Sequence, residues 1–142
     1  MGEKTDPQKL VADLNAALPL QYRSALALAV AAGTIGGPIG VALSGELRRF
    51  AEHNVGDVER LAARITSLGG APTTDVAPLR TSSDWRESLQ ALIDFEYEAI
   101  DALVEAIPAK ADDAEGEATE HLLEHMVTHK RDAVELLERA LR

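Results

Sequence analysis

The chain has no cysteine, one tryptophan, two phenylalanines and two tyrosines among 142 residues. Without thiols it can hold neither a disulfide framework nor a thiolate metal centre, and the redox compartment stays open on that count. Basic residues are scarce: 14 Lys and Arg against 24 Asp and Glu leave a formal charge of −10. Such a balance repels phosphate backbones, so nucleic acid is not an expected partner. The chain also lacks a glycine-rich phosphate loop, a dinucleotide fingerprint and a nucleophile-and-base set. Residues Met1 to Gln8 are polar and lack the basic start of a secretory signal, so a cytoplasmic location is the expectation. Ala and Leu abound while aromatic and β-branched residues are few, a composition that favours an all-α fold. The length suits a single domain, residues 1–142, with one core.

Helix punctuation divides the chain in four. Thr5-Asp6-Pro7 supplies a capping residue and a proline suited to a first turn, and helix one runs from there to about Ala32, before Gly33 and Gly36-Gly37-Pro38. Pro19 lies inside it, removes one backbone bond, and predicts a kink or bulge. Helix two begins at Pro38 or Val41 and continues to Leu68, where Gly69-Gly70 and Pro72 end it. Helix three takes Ser82 or Ser83 as its cap and reaches about Ala106, before Pro108. Helix four follows the acidic turn Asp112 to Glu117 and runs to the C-terminus. The connection from Gly69 to Ser82 counts 14 residues, more than adjacent antiparallel helices need. Extended, it spans roughly 46 Å, and a helix of about 28 residues is roughly 42 Å long. The link can therefore run the length of a bundle as a crossover between two helical hairpins; an up-down bundle with a loose middle loop is the alternative.

Several polar residues fall on stripes that are otherwise apolar. Helix two reads Leu47, Phe50, Asn54, Asp57, Leu61 and Leu68, with a further turn at Arg64 or Ile65; helix three reads Leu89, Leu92, Glu96, Ala99 and Leu103; helix one reads Leu10, Leu14, Gln21, Ala25 and Leu28. Polar groups placed there need partners or a metal, because an unpaired buried charge is costly. A weak internal repeat runs through the same positions. Aligning Asn54 with Lys130 superposes Val58, Glu59 and Leu61 on Val134, Glu135 and Leu137, while Gln21 precedes Asn54 by 33 residues and Glu96 precedes Lys130 by 34.

The run Asp57-Val-Glu-Arg-Leu-Ala-Ala-Arg-Ile-Thr-Ser-Leu-Gly-Gly-Ala-Pro72 resembles the end of helix two in ferritin-like proteins of the bacterioferritin kind. The resemblance implies a ferritin-like four-helix bundle with a Glu on helices one and three and Glu-x-x-His on helices two and four, gathered about two metal ions. Carried over, those positions hold Gln21, then Asn54 and Asp57 of Asn54-Val-Gly-Asp57, then Glu96; only Glu96 keeps the family's residue type. Helix four admits two registers. One, following the repeat and the run Ala133-Val-Glu-Leu-Leu-Glu138, places Lys130 and Ala133 at the metal-binding positions. The other matches Met126-Val-Thr-His129 and keeps a histidine without a carboxylate. The first makes Gln21, Asn54, Asp57, Glu96 and Lys130 a structural polar cluster, with charge −2 + 1 = −1 before any metal arrives. The second allows one divalent ion such as iron on Asp57, Glu96 and His129, with Gln21 and Asn54 as weak oxygen ligands. Neither supplies the two bridging carboxylates of a ferroxidase, so no catalytic residue and no resident cofactor is assigned; were the chain an enzyme, it would be a ferroxidase-like metal-dependent oxidase. A third possibility leaves Asn54, Asp57 and Lys130 on an exposed helix edge. Val55 stands at the family's haem-ligand methionine, so haem is not expected.

Two further features stand outside that pattern. His121, His125 and His129 follow one another at i, i+4, i+8 on helix four, the spacing of a solvated flank or of a metal- or proton-responsive face. From Ser24 to Gly45 there are 22 residues without a charge. Its length would admit a membrane span, but the alanines, the Gly-Gly-Pro break and the amphipathic flanks point instead to an apolar hairpin tip. Residues 24–45 are thus expected to pack in a homo-oligomer or against a protein partner.

Overall fold

The computed structural model describes residues 5–108 and 113–142. It contains four helices in chain order: α1 (Pro7–Thr34), α2 (Gly37–Ser67), α3 (Trp85–Ala106) and α4 (Ala114–Leu141). Asp6 caps α1 by accepting from the backbone N–H of Gln8 and Lys9. α1 outlasts the expected end at Ala32, because the Ile35 N–H still donates to the Ala31 carbonyl. α2 starts at Gly37, whose φ of +72° lets the chain reverse immediately before Pro38. The hairpin is closed tightly: a Cβ on Gly40 would lie 1.9 Å from the Ile35 carbonyl oxygen.

The cap of α3 is Asp84, not Ser82 or Ser83. Its carboxylate accepts from the Arg86 N–H at 2.9 Å, while the Ser82 hydroxyl is drawn into the preceding turn, accepting from Asp84 N–H and donating to Glu87. Asp113 caps α4 and also holds the chain start, accepting from Gly116 N–H and from the Thr5 hydroxyl at 2.7 Å. The expected acidic turn before α4 begins at Asp112, which lies outside the described residues, as does the polar start of the chain at residues 1–4.

The connection from α2 to α3 is a crossover lying along α1. Asn15 clasps it near one end, its side chain donating to the Ala71 carbonyl and accepting from Thr73 N–H. Tyr22 donates to the Thr73 carbonyl at 2.8 Å, and Ala77 N–H reaches the Pro19 carbonyl. α1 continues through Pro19, and that turn is where the crossover docks. The loop ends beside Arg80, whose guanidinium lies 5.0 Å from the Phe95 ring on α3. α2 and α3 therefore begin at the same end of the bundle despite being consecutive, the arrangement of two hairpins joined lengthwise.

Two apolar clusters fill the interior. One holds Leu28, Leu47, Leu89, Phe95 and Leu137; the other holds Leu14, Leu18, Leu61, Leu103, Leu123 and Met126. In α2 the inner turn after Leu61 is Ile65, not Arg64. Between the clusters each helix contributes polar side chains: Gln21 and Ser24 from α1, Asn54 and Asp57 from α2, Glu96 from α3 and Lys130 from α4, all buried. Among the described residues no helix is long and apolar enough to cross a membrane.

Candidate functional site

The polar layer is built by helical spacing. Asn54 and Asp57 are one turn apart on the face of α2 that also carries Leu47 and Leu61, so a continuous hydrophobic stripe is interrupted where it crosses the bundle's middle. Lys130 sits likewise between Met126 and Val134 on α4. It is Lys130, 1% exposed, that enters the bundle, and its ammonium donates to both carboxylate oxygens of Glu96 at 3.3 Å and to Asn54 Oδ1 at 3.4 Å. Gln21 Nε2 donates to Asn54 Oδ1 at 3.1 Å and to the Asn54 carbonyl at 3.2 Å. Four helices are thus joined through one network of three side-chain links.

Asp57 adjoins that network without bonding to Lys130. Its Oδ1 accepts from Arg60 at 3.1 Å, a guanidinium more than half exposed, while Asp57 is wholly buried. Among the described residues Asp57 Oδ2 and Gln21 Oε1 have no hydrogen-bond partner. Ala133, the other family position on α4, is buried and offers no donor.

His129, adjacent to Lys130, turns the other way. Its Nε2 lies 3.1 Å from Nε2 of His125, one turn earlier on α4, and its ring centroid is 3.9 Å from that of His53 on α2. Burial, then the neighbouring His53 and His125 rings, hold the His129 imidazole below the ordinary value, while Asp57 and Asp132 oppose them. His53, Asn54, Glu96, His129, Lys130 and Asp132 line one cavity of about 280 Å³. Among the described residues no three His, Cys, Asp or Glu side chains already converge as ligands on one point. Of the residues expected around a single ion, Glu96 is bonded to Lys130, Asp57 to Arg60, and His129 to His125.

Three participants escaped the sequence reading. His53 was hidden because it follows no family position, although the repeat that pairs Asn54 with Lys130 also pairs His53 with His129. Arg60 is Asp57's neighbour one turn on, a contact that helical spacing alone allows. Arg23 is buried, lies 4.2 Å from the Phe95 ring centroid and pairs with Glu98; nothing in the local pattern distinguishes it from a surface arginine. His121, expected in the histidine row, is exposed and does not join the His53 contact.

The outer face of α1 and α2 is apolar by contrast. Leu26 and Val55 are exposed there, Val55 by 59%, and line a groove of about 640 Å³ with Ala25, Ala29, Gly33 and Ala51, Arg48 and Glu52 also on it.

Comparison with known proteins places this geometry. The family profile "Ferritin: Ferritin-like domain" matches residues 11–142. No curated protein sequence matches the chain. Among solved structures, a ferritin-like, diiron-carboxylate protein from Bacillus anthracis is 26% identical, with a TM-score of 0.88 and coverage of 99% of this chain and 100% of that one. A dodecameric thioferritin, the bacterioferritin-related protein from Bacteroides fragilis, is 22% identical with a TM-score of 0.86, covering 97% of this chain and 87% of its own. Rhodobacter capsulatus bacterioferritin, a structure with a metal-free dinuclear site and haem iron, is 22% identical with a TM-score of 0.79, covering 98% and 86%.

Proposed function

This chain belongs to the ferritin-like family, and on that premise we propose that it is a divergent member without a complete di-iron ferroxidase site, acting in the cytoplasm as a self-assembling scaffold or interaction protein. One observation carries the reading: the Lys130 ammonium lies against Glu96 and Asn54 in the polar layer. A site for two divalent ions needs about four carboxylates from the four helices. Here Asp57 and Glu96 contribute −2, Lys130 contributes +1, and the sum is −1. The lysine does for the remaining acid what a cation would do, and two further ions would meet too little negative charge to hold them. The donor set therefore does not fit a di-iron centre, and no oxidation step is derived for these residues.

Self-assembly is supported by the apolar outer face of α1 and α2 and by Val41, 82% exposed near the hairpin tip. A lone soluble chain seldom leaves such a groove to water.

A second reading, one divalent ion on Asp57, Glu96 and His129, draws on the unpartnered Asp57 Oδ2. It would require Glu96 to leave Lys130. Elemental mass spectrometry of protein purified without chelator, with ferrous iron added and its oxidation followed, separates the readings. We expect no stoichiometric iron and no accelerated oxidation; one or two irons per chain with oxidation would sink the scaffold reading. Light scattering across micromolar concentrations tests assembly, and a strictly monomeric protein would refute that part.

A further inference from the structure

We infer that His53, His125 and His129 form a binding site for one divalent first-row transition ion with a preference for nitrogen ligands, of which zinc is the probe. The site borders the buried layer, sharing a cavity with Asn54, Glu96 and Lys130, but takes none of them as a ligand.

Residues four apart on a helix carry their side chains on one face, so His125 and His129 form a pair fixed by the backbone of α4. Their Nε2 atoms are 3.1 Å apart. At a zinc–nitrogen length of roughly 2.05 Å, two nitrogens at that separation subtend about 98° at a shared ion, between the octahedral and tetrahedral angles. Imidazole suits zinc, nickel, cobalt and copper better than carboxylate-preferring calcium or magnesium.

The third imidazole comes from another helix. His53 on α2 packs its ring at 3.9 Å from that of His129, tilted by 45°; since among the described residues no three such side chains already converge, the proposed site requires its ring to turn toward the ion. Among the described residues its Nε2 is buried and unpartnered, a polar atom for which a metal bond supplies the missing interaction. Three neutral nitrogens leave the charge of a divalent ion unmatched, and Asp132, which lines the same cavity, and Asp57 both favour positive charge at His129. Arg49 and Lys130 also line that cavity and oppose it, though Arg49 is engaged by Glu46 and the Lys130 ammonium by Glu96. Three facial imidazoles leave the ion's outer positions to water or to a fourth ligand.

A bare hydrogen bond between two imidazoles is the rival account of the 3.1 Å distance. Isothermal titration of zinc chloride into the chelator-stripped full chain at pH 7.5 decides between them. We expect one zinc per chain, at least tenfold weaker binding in His125→Ala and in His129→Ala, at least threefold weaker binding in His53→Ala, and unchanged binding in Glu96→Gln. His125 is exposed, so its substitution tests the site without touching the core. No saturable binding, or wild-type binding in His125→Ala, would overturn the proposal. Wild-type binding in His53→Ala would reduce the site to an exposed helix pair and overturn it as a site of three residues. Loss of binding in Glu96→Gln with its helical circular dichroism and melting transition retained would also overturn it, moving the ion to Asp57, Glu96 and His129.

Discussion

The polar layer inside the bundle and the imidazole patch beside it are built from adjacent residues on the same two helices: Asn54 follows His53, and Lys130 follows His129. Inside, opposite charges meet at 3.3 Å, and among the described residues the atoms left without a partner there are Asp57 Oδ2, Gln21 Oε1 and Ser24 Oγ. Beside it, three like rings meet at tilted and edge-on angles, and among the described residues the buried His53 Nε2 is unpartnered. A step of one residue rotates a side chain about 100° around a helix, enough to turn a buried layer of paired charges into a half-open face of imidazoles. The first region gives the bundle its cross-links; the second is the ion site proposed above.

Breaking the inner region has the largest expected effect. Lys130→Met leaves Glu96 buried without its cation and should destabilise the fold by about 3 kcal/mol or more, read as urea unfolding. An unchanged midpoint would mean that the ammonium contributes nothing to the layer. Adding Glu96→Leu to Lys130→Met removes both charges, and the double variant should regain at least about half of that loss, since apolar replacement of a whole buried pair is often neutral. A double variant less stable than the single one would show that Asn54 and Gln21 depend on the charges.

The outer patch should respond to pH more gently. Unfolded, the His129 ring takes up its proton near the ordinary 6.5; folded, only at lower pH. Acid thus favours the unfolded chain, so this contribution is complete above about 6.5 and is lost as the pH falls below it toward the folded value. Melting temperatures from pH 7.5 to 5 should decline, and His129→Gln should flatten part of that decline; identical slopes would dissociate the patch from the effect. Smallest of all, His121→Ala should leave the melting temperature unchanged, since His121 is exposed and outside the ring contacts.

Most of the architecture was legible from apolar spacing and breakers. The stripes through Leu14, Leu61, Leu103 and their neighbours are buried as spacing requires, and the long Gly69–Ser82 link does run the bundle's length. Element ends were less readable where two side chains compete: Ser82 and Asp84 are both cap residues, and only the turn geometry assigns the carboxylate to Arg86 N–H. The repeat pointed to the Lys130 register of α4 over the Met126–His129 one, but spacing alone did not decide, because Lys130 with Val134 and His125 with His129 are both regular helical series. What chose between them was packing, which buried the lysine's long stem beside Glu96. The pairing of His53 with His129 depends on the approach of α2 to α4, a tertiary fact that no local pattern encodes.

The crossover's attachment to α1 bears on all of this. Because Asn15, Pro19 and Tyr22 each hold a defined point of the loop, the height at which α3 enters is measured off against α1 before α3 begins. A slip of one helical turn would carry Glu96 about 5.4 Å along the axis, out of reach of Lys130. The loop is therefore a ruler as well as a link: shortening it by a residue or two should mismatch the floors of the building, not merely tighten a connection.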